Sequence, residues 1–180
     1  IIMQAFADIK PHVIIAVPLI IEKVYKSKLK PVIDRNKMIM SLPILDKVIQ
    51  RKILKELVAA FGGKFYEVII GGAAFNPEVE AFFRKIGFPL TVGYGMTECA
   101  PIITYADWKE IPLTSCGRAV MNMKIRVDSD DPEHIPGEIQ VSGPNVFLGY
   151  YKNEEATAGV ITDDGWFRTG DAGRLDGNVL

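Results

Sequence analysis

The residues best suited to chemistry fall in three short stretches. Gly93-Tyr94-Gly95-Met96-Thr97-Glu98 places an aromatic face, a hydroxyl donor and a carboxylate close together. Those groups suit an adenine ring, a phosphate and a Mg²⁺ ion, which prefers hard oxygen ligands. Gly71-Gly72-Ala73-Ala74 is a run of small residues. Such a run lets backbone approach a flat or anionic ligand. Thr169-Gly170-Asp171 follows Trp166-Phe167-Arg168. An ionised carboxylate accepts two hydrogen bonds at once, which fits a vicinal ribose diol. Each stretch also has a plain structural reading. The glycine loops can be tight βα turns, Tyr94 a packing residue, Glu98 a surface charge at a helix start, and Asp171 a turn residue.

Strands and helices must carry these loops. Val13–Val17 is an unbroken apolar run, read as a strand buried on both faces. Ile2, Phe6 and Ile9 before it have helical spacing, stopped by Pro11. A helix follows Pro18, with Ile21, Val24 and Tyr25 facing inward. Asp46 is the expected N-cap of a further helix bearing Ile49, Ile53, Leu57 and Phe61 on one face, ended by Gly62-Gly63. Val68–Ile70 is a buried strand leading into Gly71-Gly72. Asn76 caps the next helix, with Pro77 at its first position, Glu78 in its first turn, Val79, Phe82, Phe83 and Ile86 as its apolar stripe, and Gly87 after it. Leu90–Val92 is a third strand. Strands alternating with helices predict a parallel sheet, and ligands of such sheets sit beyond the strands' carboxyl ends, where both glycine loops lie.

The period then changes. Met121, Met123, Ile125 and Val127 alternate with polar residues, as in a half-buried antiparallel strand, and a similar run surrounds Ile139 and Val141. Turn signals recur at Gly143-Pro144, Asp163-Asp164-Gly165 and Asp176-Gly177. The expected fold is α/β, a mainly parallel sheet with flanking helices followed by a small antiparallel β-barrel-like subdomain. The boundary is expected near residues 105–112, dividing 1–108 from 109–180. The chain begins at Ile1 without an initiator methionine, and only Val179-Leu180 follow the last hairpin turn. Both ends read as those of a fragment of a longer protein.

Composition narrows the function classes. The 180 residues carry 21 basic and 22 acidic side chains, for a net charge of -1, with 48% hydrophobic and 24% charged residues. That balance excludes a wholly disordered chain and argues against binding nucleic acid by bulk phosphate attraction. No apolar run reaches the roughly 20 residues of a membrane span. Two cysteines, Cys99 and Cys116, make no disulfide framework. With no basic n-region at the start, a reducing, cytoplasmic setting is expected.

The three motifs, with Gly137-Glu138-Ile139 running to Gly149-Tyr150-Tyr151, occur in the order seen in adenylate-forming, AMP-binding enzymes. The chain resembles that superfamily over nearly its whole length. It looks most like a long-chain fatty-acid–CoA ligase, through Val17-Pro18, Glu22-Lys23-Val24-Tyr25 and the stretch up to Gly71-Gly72-Ala73-Ala74-Phe75. The resemblance implies ATP, Mg²⁺ and, as co-substrate, CoA. A fatty carboxylate attacks the α-phosphate of ATP to give acyl-AMP and pyrophosphate, and the CoA thiol then displaces AMP. It further implies that Thr97 contacts phosphate oxygens and Glu98 holds Mg²⁺, making these two the catalytic pair. Tyr94 would stack on adenine within a loop that includes Gly95. Gly72, Ala73 and Ala74 would line the adenine and acyl pocket, and Asp171 would bind the ribose hydroxyls.

By the same resemblance, a phosphate loop ending in lysine belongs before Ile1, and a mobile C-terminal domain with a catalytic lysine after Leu180. Arg174 does not match the family's ribose-binding arginine. The isolated chain is therefore expected to hold part of a nucleotide site and little activity. Three other readings stay open. They are an aryl- or short-acyl-activating enzyme or peptide-synthetase adenylation domain, a non-catalytic nucleotide-binding module, and a plain scaffold.

Several other residues invite chemistry and are read as structural. His12 and His134 are taken as solvated or structural, and Cys99 as a small packing residue. Asp128, Asp130, Asp131 and Glu133 lack the EF-hand pattern. Lys23, Lys26, Lys28, Lys30, Arg35 and Lys37 are read as a solvated helix face, with a peripheral membrane contact as the alternative.

Overall fold

A computed structural model describes residues 2–180, without the side chains of residues 2, 3 and 37–40. The inward position of Ile2 and the exposure of Lys37 lie outside the described residues. The chain divides into two compact units, Ile1–Val92 and Gly93–Leu180.

The first unit is α/β. Helix α1 spans Ile2–Ile9, and strands β1 (Val13–Ala16), β2 (Glu67–Ile70) and β3 (Leu90–Val92) form a three-stranded parallel sheet in that order. Parallel neighbours need long crossovers. The first is α2 (Pro18–Val24), a π-helical turn (Tyr25–Leu29), α3 (Lys30–Met40) and α4 (Pro43–Ala60); the second is α5 (Pro77–Lys85). β3 is buried throughout and β2 nearly so. β1 departs from expectation. It lies at the sheet edge with only Ile14 buried, while Ile15 is 80% exposed on the opposite face.

Helix α5 forms as its local signals predict. Asn76 Oδ1 accepts from the backbone N–H of Glu78 (2.9 Å) and Val79 (3.2 Å), a cap worth about 1 kcal/mol. Val79 and Phe83 are buried on its inner face. Helix α4 begins one turn before Asp46. Pro43, with its fixed φ and missing N–H, opens the helix, and Leu42 is the N-cap. Asp46 instead meets Lys85 Nζ at 3.1 Å. Around Phe88, the rings of Phe61, Phe65 and Phe83 stand 5.1–5.6 Å away and form the aromatic heart of the unit. Of the basic stretch, Lys26 pairs with Glu22 and Lys30 with Asp34, as on a solvated helix face. No helix among the described residues is long and apolar enough to cross a membrane.

The second unit is antiparallel and starts earlier than the 105–112 stretch. Strand β4 (Tyr94–Gly95) pairs with β5 (Ile102–Tyr105), and β5 pairs with β6 (Arg118–Ala119). A second sheet joins β7 (Lys124–Asp128), β8 (Gly137–Ser142) and β9 (Phe167–Gly173), with helix α6 (Glu154–Val160) between β8 and β9 in sequence. These are two open three-stranded sheets, in place of the expected barrel-like closure. Strand β7 also begins later than Met121, because Asn122 turns the chain into the left-handed region at φ 65° and leaves Met121 86% exposed. Cys99, Ile103, Met123, Val127, Ile139, Val141 and Phe167 make the core.

An ion pair on the rim of this unit carries a pH prediction. Arg126 grips Asp164 through both terminal guanidinium nitrogens (2.5 and 3.0 Å) and stacks 4.4 Å from the Trp166 ring. The guanidinium, helped by the Thr162 hydroxyl, lowers the Asp164 carboxyl to about 2. A carboxyl depressed on folding stabilises the fold above its unfolded pKa of about 4, and that contribution disappears as pH falls through 2. Thermal melts of Asp164→Asn should therefore lie below the parent above about pH 4 and converge with it towards pH 2. A constant separation across that window would show that Asp164 is not the group involved.

Candidate nucleotide site

The Gly93–Glu98 loop is shaped by its contact with Pro101. The Met96 N–H donates to the Pro101 carbonyl at 2.8 Å, and a Cβ on Gly95 would collide with that same carbonyl oxygen. Glycine at 95 is thus required by the close approach of backbone. Tyr94 is half-buried, and Thr97–Cys99 form one 3₁₀ turn with Thr97 exposed.

Asp171 reaches this loop from 77 positions along the chain: the Tyr94 hydroxyl donates to its Oδ2 at 2.8 Å. Local geometry aims it there. The β8–β9 register shifts between Glu138 and Gln140, and Gly170 adopts φ 75°. A bulge of this kind re-aims the side chain that follows. The carboxylate of Glu138 pins the bulge, taking the Gly170 N–H at 3.2 Å and Arg168 Nε at 2.8 Å. Thr169 Oγ1 donates to the Ile139 carbonyl and accepts the Asp171 N–H. Burial, with the Asp171 carboxylate adding to it, pushes the Tyr94 phenol well above its ordinary pKa. It therefore stays a donor at neutral pH.

Glu98 is held from another direction. The Tyr150 hydroxyl donates to its Oε1 at 3.0 Å, and the Phe147 N–H donates to its backbone carbonyl at 2.7 Å. Its other oxygen, Oε2, takes no hydrogen bond among the described residues. Neighbouring Cys99 is fully buried, and burial with the Glu98 charge raises its thiol to about 11. Cys99 sits in the core of the unit as a small packing residue, as expected. His134 is exposed and sits 2.9 Å from Asp131 in its turn.

Tyr94 and Asp171 are thus in direct contact, and Thr97 and Glu98 follow on the same loop. Gly72, Ala73 and Ala74 belong to the first unit, where they are exposed after β2, with Gly72 at φ 87°. Sequence reasoning passed over Glu138, Asn145 and Tyr150. Only the motif order flagged the stretches that contain Glu138 and Tyr150.

Residues 1–151 match the model of the AMP-binding enzymes. The chain belongs to this family. Among curated relatives, a long-chain-fatty-acid–CoA ligase, FadD15 of Mycobacterium bovis, is 29% identical over 97% of the chain and 32% of its own length. A 2-succinylbenzoate–CoA ligase of Bacillus cytotoxicus is 37% identical over 69% of the chain and 28% of its own length. The chain thus spans about a third of the length of these relatives. The fold is shared with a solved synthetase. A solved O-succinylbenzoate CoA synthetase from Bacillus subtilis, in complex with ATP and magnesium ion, matches 99% of the chain and 32% of its own at TM-score 0.72 and 22% identity.

Proposed function

We propose that this chain supplies part of the nucleotide site of an ATP-dependent fatty-acid–CoA ligase. The observation that carries the reading is the Tyr94–Asp171 hydrogen bond, which joins the loop bearing Thr97 and Glu98 to a carboxylate distant in sequence. One ATP molecule needs contacts to its base, ribose and phosphates at once, and this pairing supports such a site.

In this reading the Tyr94 ring stacks on adenine while its hydroxyl orients Asp171. Asp171 accepts the two ribose hydroxyls, and Thr97 donates to a phosphate oxygen. Gly95 lets backbone come close. Glu98 offers a free carboxylate oxygen to Mg²⁺. No cluster of three or more His, Cys, Asp or Glu side chains among the described residues is arranged to hold a metal. The single Glu98 carboxylate fits Mg²⁺, which is commonly bound by one or two carboxylates together with substrate phosphates and water. When bound, Mg²⁺ neutralises charge gathering on the phosphates. The chemistry joins two anions, a carboxylate and the α-phosphate, so alignment and charge stabilisation are the contributions this chain must make. CoA then takes the acyl group.

The test is acid-dependent ATP–pyrophosphate exchange by the full-length protein, followed by thioester formation with CoA. Exchange with a long-chain fatty acid such as palmitate and none with 2-succinylbenzoate is expected. The reverse preference would favour the aryl-acid reading that the Bacillus relative supports. No exchange with any carboxylic acid would overturn the ligase reading.

A further inference from the structure

Far along the chain from Glu98, the segment 143–150 grips its loop through four hydrogen bonds. Asn145 Nδ2 donates to the backbone carbonyls of Cys99 and Ile102, both at 2.8 Å. The Phe147 N–H reaches the Glu98 carbonyl at 2.7 Å, and the Tyr150 hydroxyl reaches Glu98 Oε1 at 3.0 Å. We propose that Tyr150, backed by Asn145, is a positioning residue that fixes the Glu98 carboxylate for metal binding. The inference rests on the reading of Glu98 given above.

A free glutamate side chain samples many rotamers, and ordering it for a metal costs entropy. Here that cost is met on folding. Tyr150 occupies Oε1 and leaves Oε2 available. The Tyr150 ring is itself fixed, edge-on to Phe147 at 4.8 Å, and Phe147 packs edge-on against buried Phe167 at 5.4 Å. The Tyr150 N–H donates to Thr157 Oγ1 at 2.9 Å, tying its backbone to α6. The carboxylate is thereby linked to the hydrophobic core through an aromatic relay. Asn145 secures the backbone just after Glu98, at Cys99 and Ile102, and with Phe147 N–H on the Glu98 carbonyl the main chain and side chain of Glu98 are held by one segment.

Outer partners of metal-binding groups typically contribute about 10- to 100-fold in affinity or activity. In the full-length protein, Tyr150→Phe should weaken binding of Mn²⁺, the probe for Mg²⁺, about tenfold as read by electron paramagnetic resonance with a non-hydrolysable ATP analogue. The Mg²⁺ concentration for half-maximal exchange should rise in parallel, while the rate at saturating Mg²⁺ and the melting temperature move little. On a Glu98→Gln background, Tyr150→Phe should add nothing further, because coupled residues are not additive. If Glu98→Gln weakens Mn²⁺ and Tyr150→Phe leaves it untouched, the positioning role is overturned and the Glu98 reading stands. If Glu98→Gln itself leaves Mn²⁺ binding unchanged, the Glu98 reading fails and the positioning role goes with it.

Discussion

Glu98→Gln in the full-length protein is expected to lower acyl-AMP formation by about a hundredfold or more, the scale on which lost charge-stabilising groups register in enzymes. The change is nearly isosteric. Gln still presents an oxygen that can accept from the Tyr150 hydroxyl, so the 3.0 Å contact can persist while the negative charge is lost. The side chain is also only partly buried, and substitutions at such positions usually alter stability by no more than about 0.5 kcal/mol. Activity and melting temperature should therefore separate. ATP–pyrophosphate exchange measured beside thermal melts is the check. Exchange at the parent rate would remove Glu98 from the metal site.

The contrast between legible and illegible features follows the range of the forces involved. Helix α5 was readable to the residue because its cap, its proline at the first position and its apolar stripe are all local. The parallel pairing of β1, β2 and β3 followed from strands alternating with helices. Where two local signals competed, the reading slipped: Pro43 outranked Asp46 in starting α4, and Asn122 delayed β7 past Met121. The π-helical turn at Tyr25–Leu29 left no pattern of its own, since apolar spacing there is compatible with an ordinary helix. The exposure of Ile15 depends on whether its sheet face is covered, which an apolar run does not show.

The site divides in the same way. Residue types and motif order pointed to Tyr94, Thr97, Glu98 and Asp171, but nothing local predicts that Asp171 ends on the Tyr94 hydroxyl. That contact needs the β8–β9 bulge and the Glu138 carboxylate that pins it. Tyr150 and Asn145 were missed because their partners lie 52 and 43–46 positions away. A supporting residue far along the chain becomes visible only once the fold has closed.

Asp171→Ala should reduce ATP affinity of the full-length protein by about a hundredfold. Hydrogen bonds to a charged partner contribute roughly 1.5–3 kcal/mol each, and a carboxylate spanning a ribose diol makes two of them. About 1.4 kcal/mol is a factor of ten, so the loss of both compounds to that scale. The fold should survive, because Asp171 is exposed and its backbone N–H stays bonded to Thr169. Tyr94→Phe serves as the companion variant. It keeps the ring for stacking but removes the hydroxyl that orients Asp171, so its loss in affinity should be the smaller of the two. Calorimetric titration with Mg·ATP distinguishes the outcomes. A large loss in Asp171→Ala with an intermediate loss in Tyr94→Phe supports a ribose carboxylate oriented by a phenol. Equal affinities in parent and Asp171→Ala would detach the ribose from β9 and leave the Tyr94–Asp171 bond a purely structural tie.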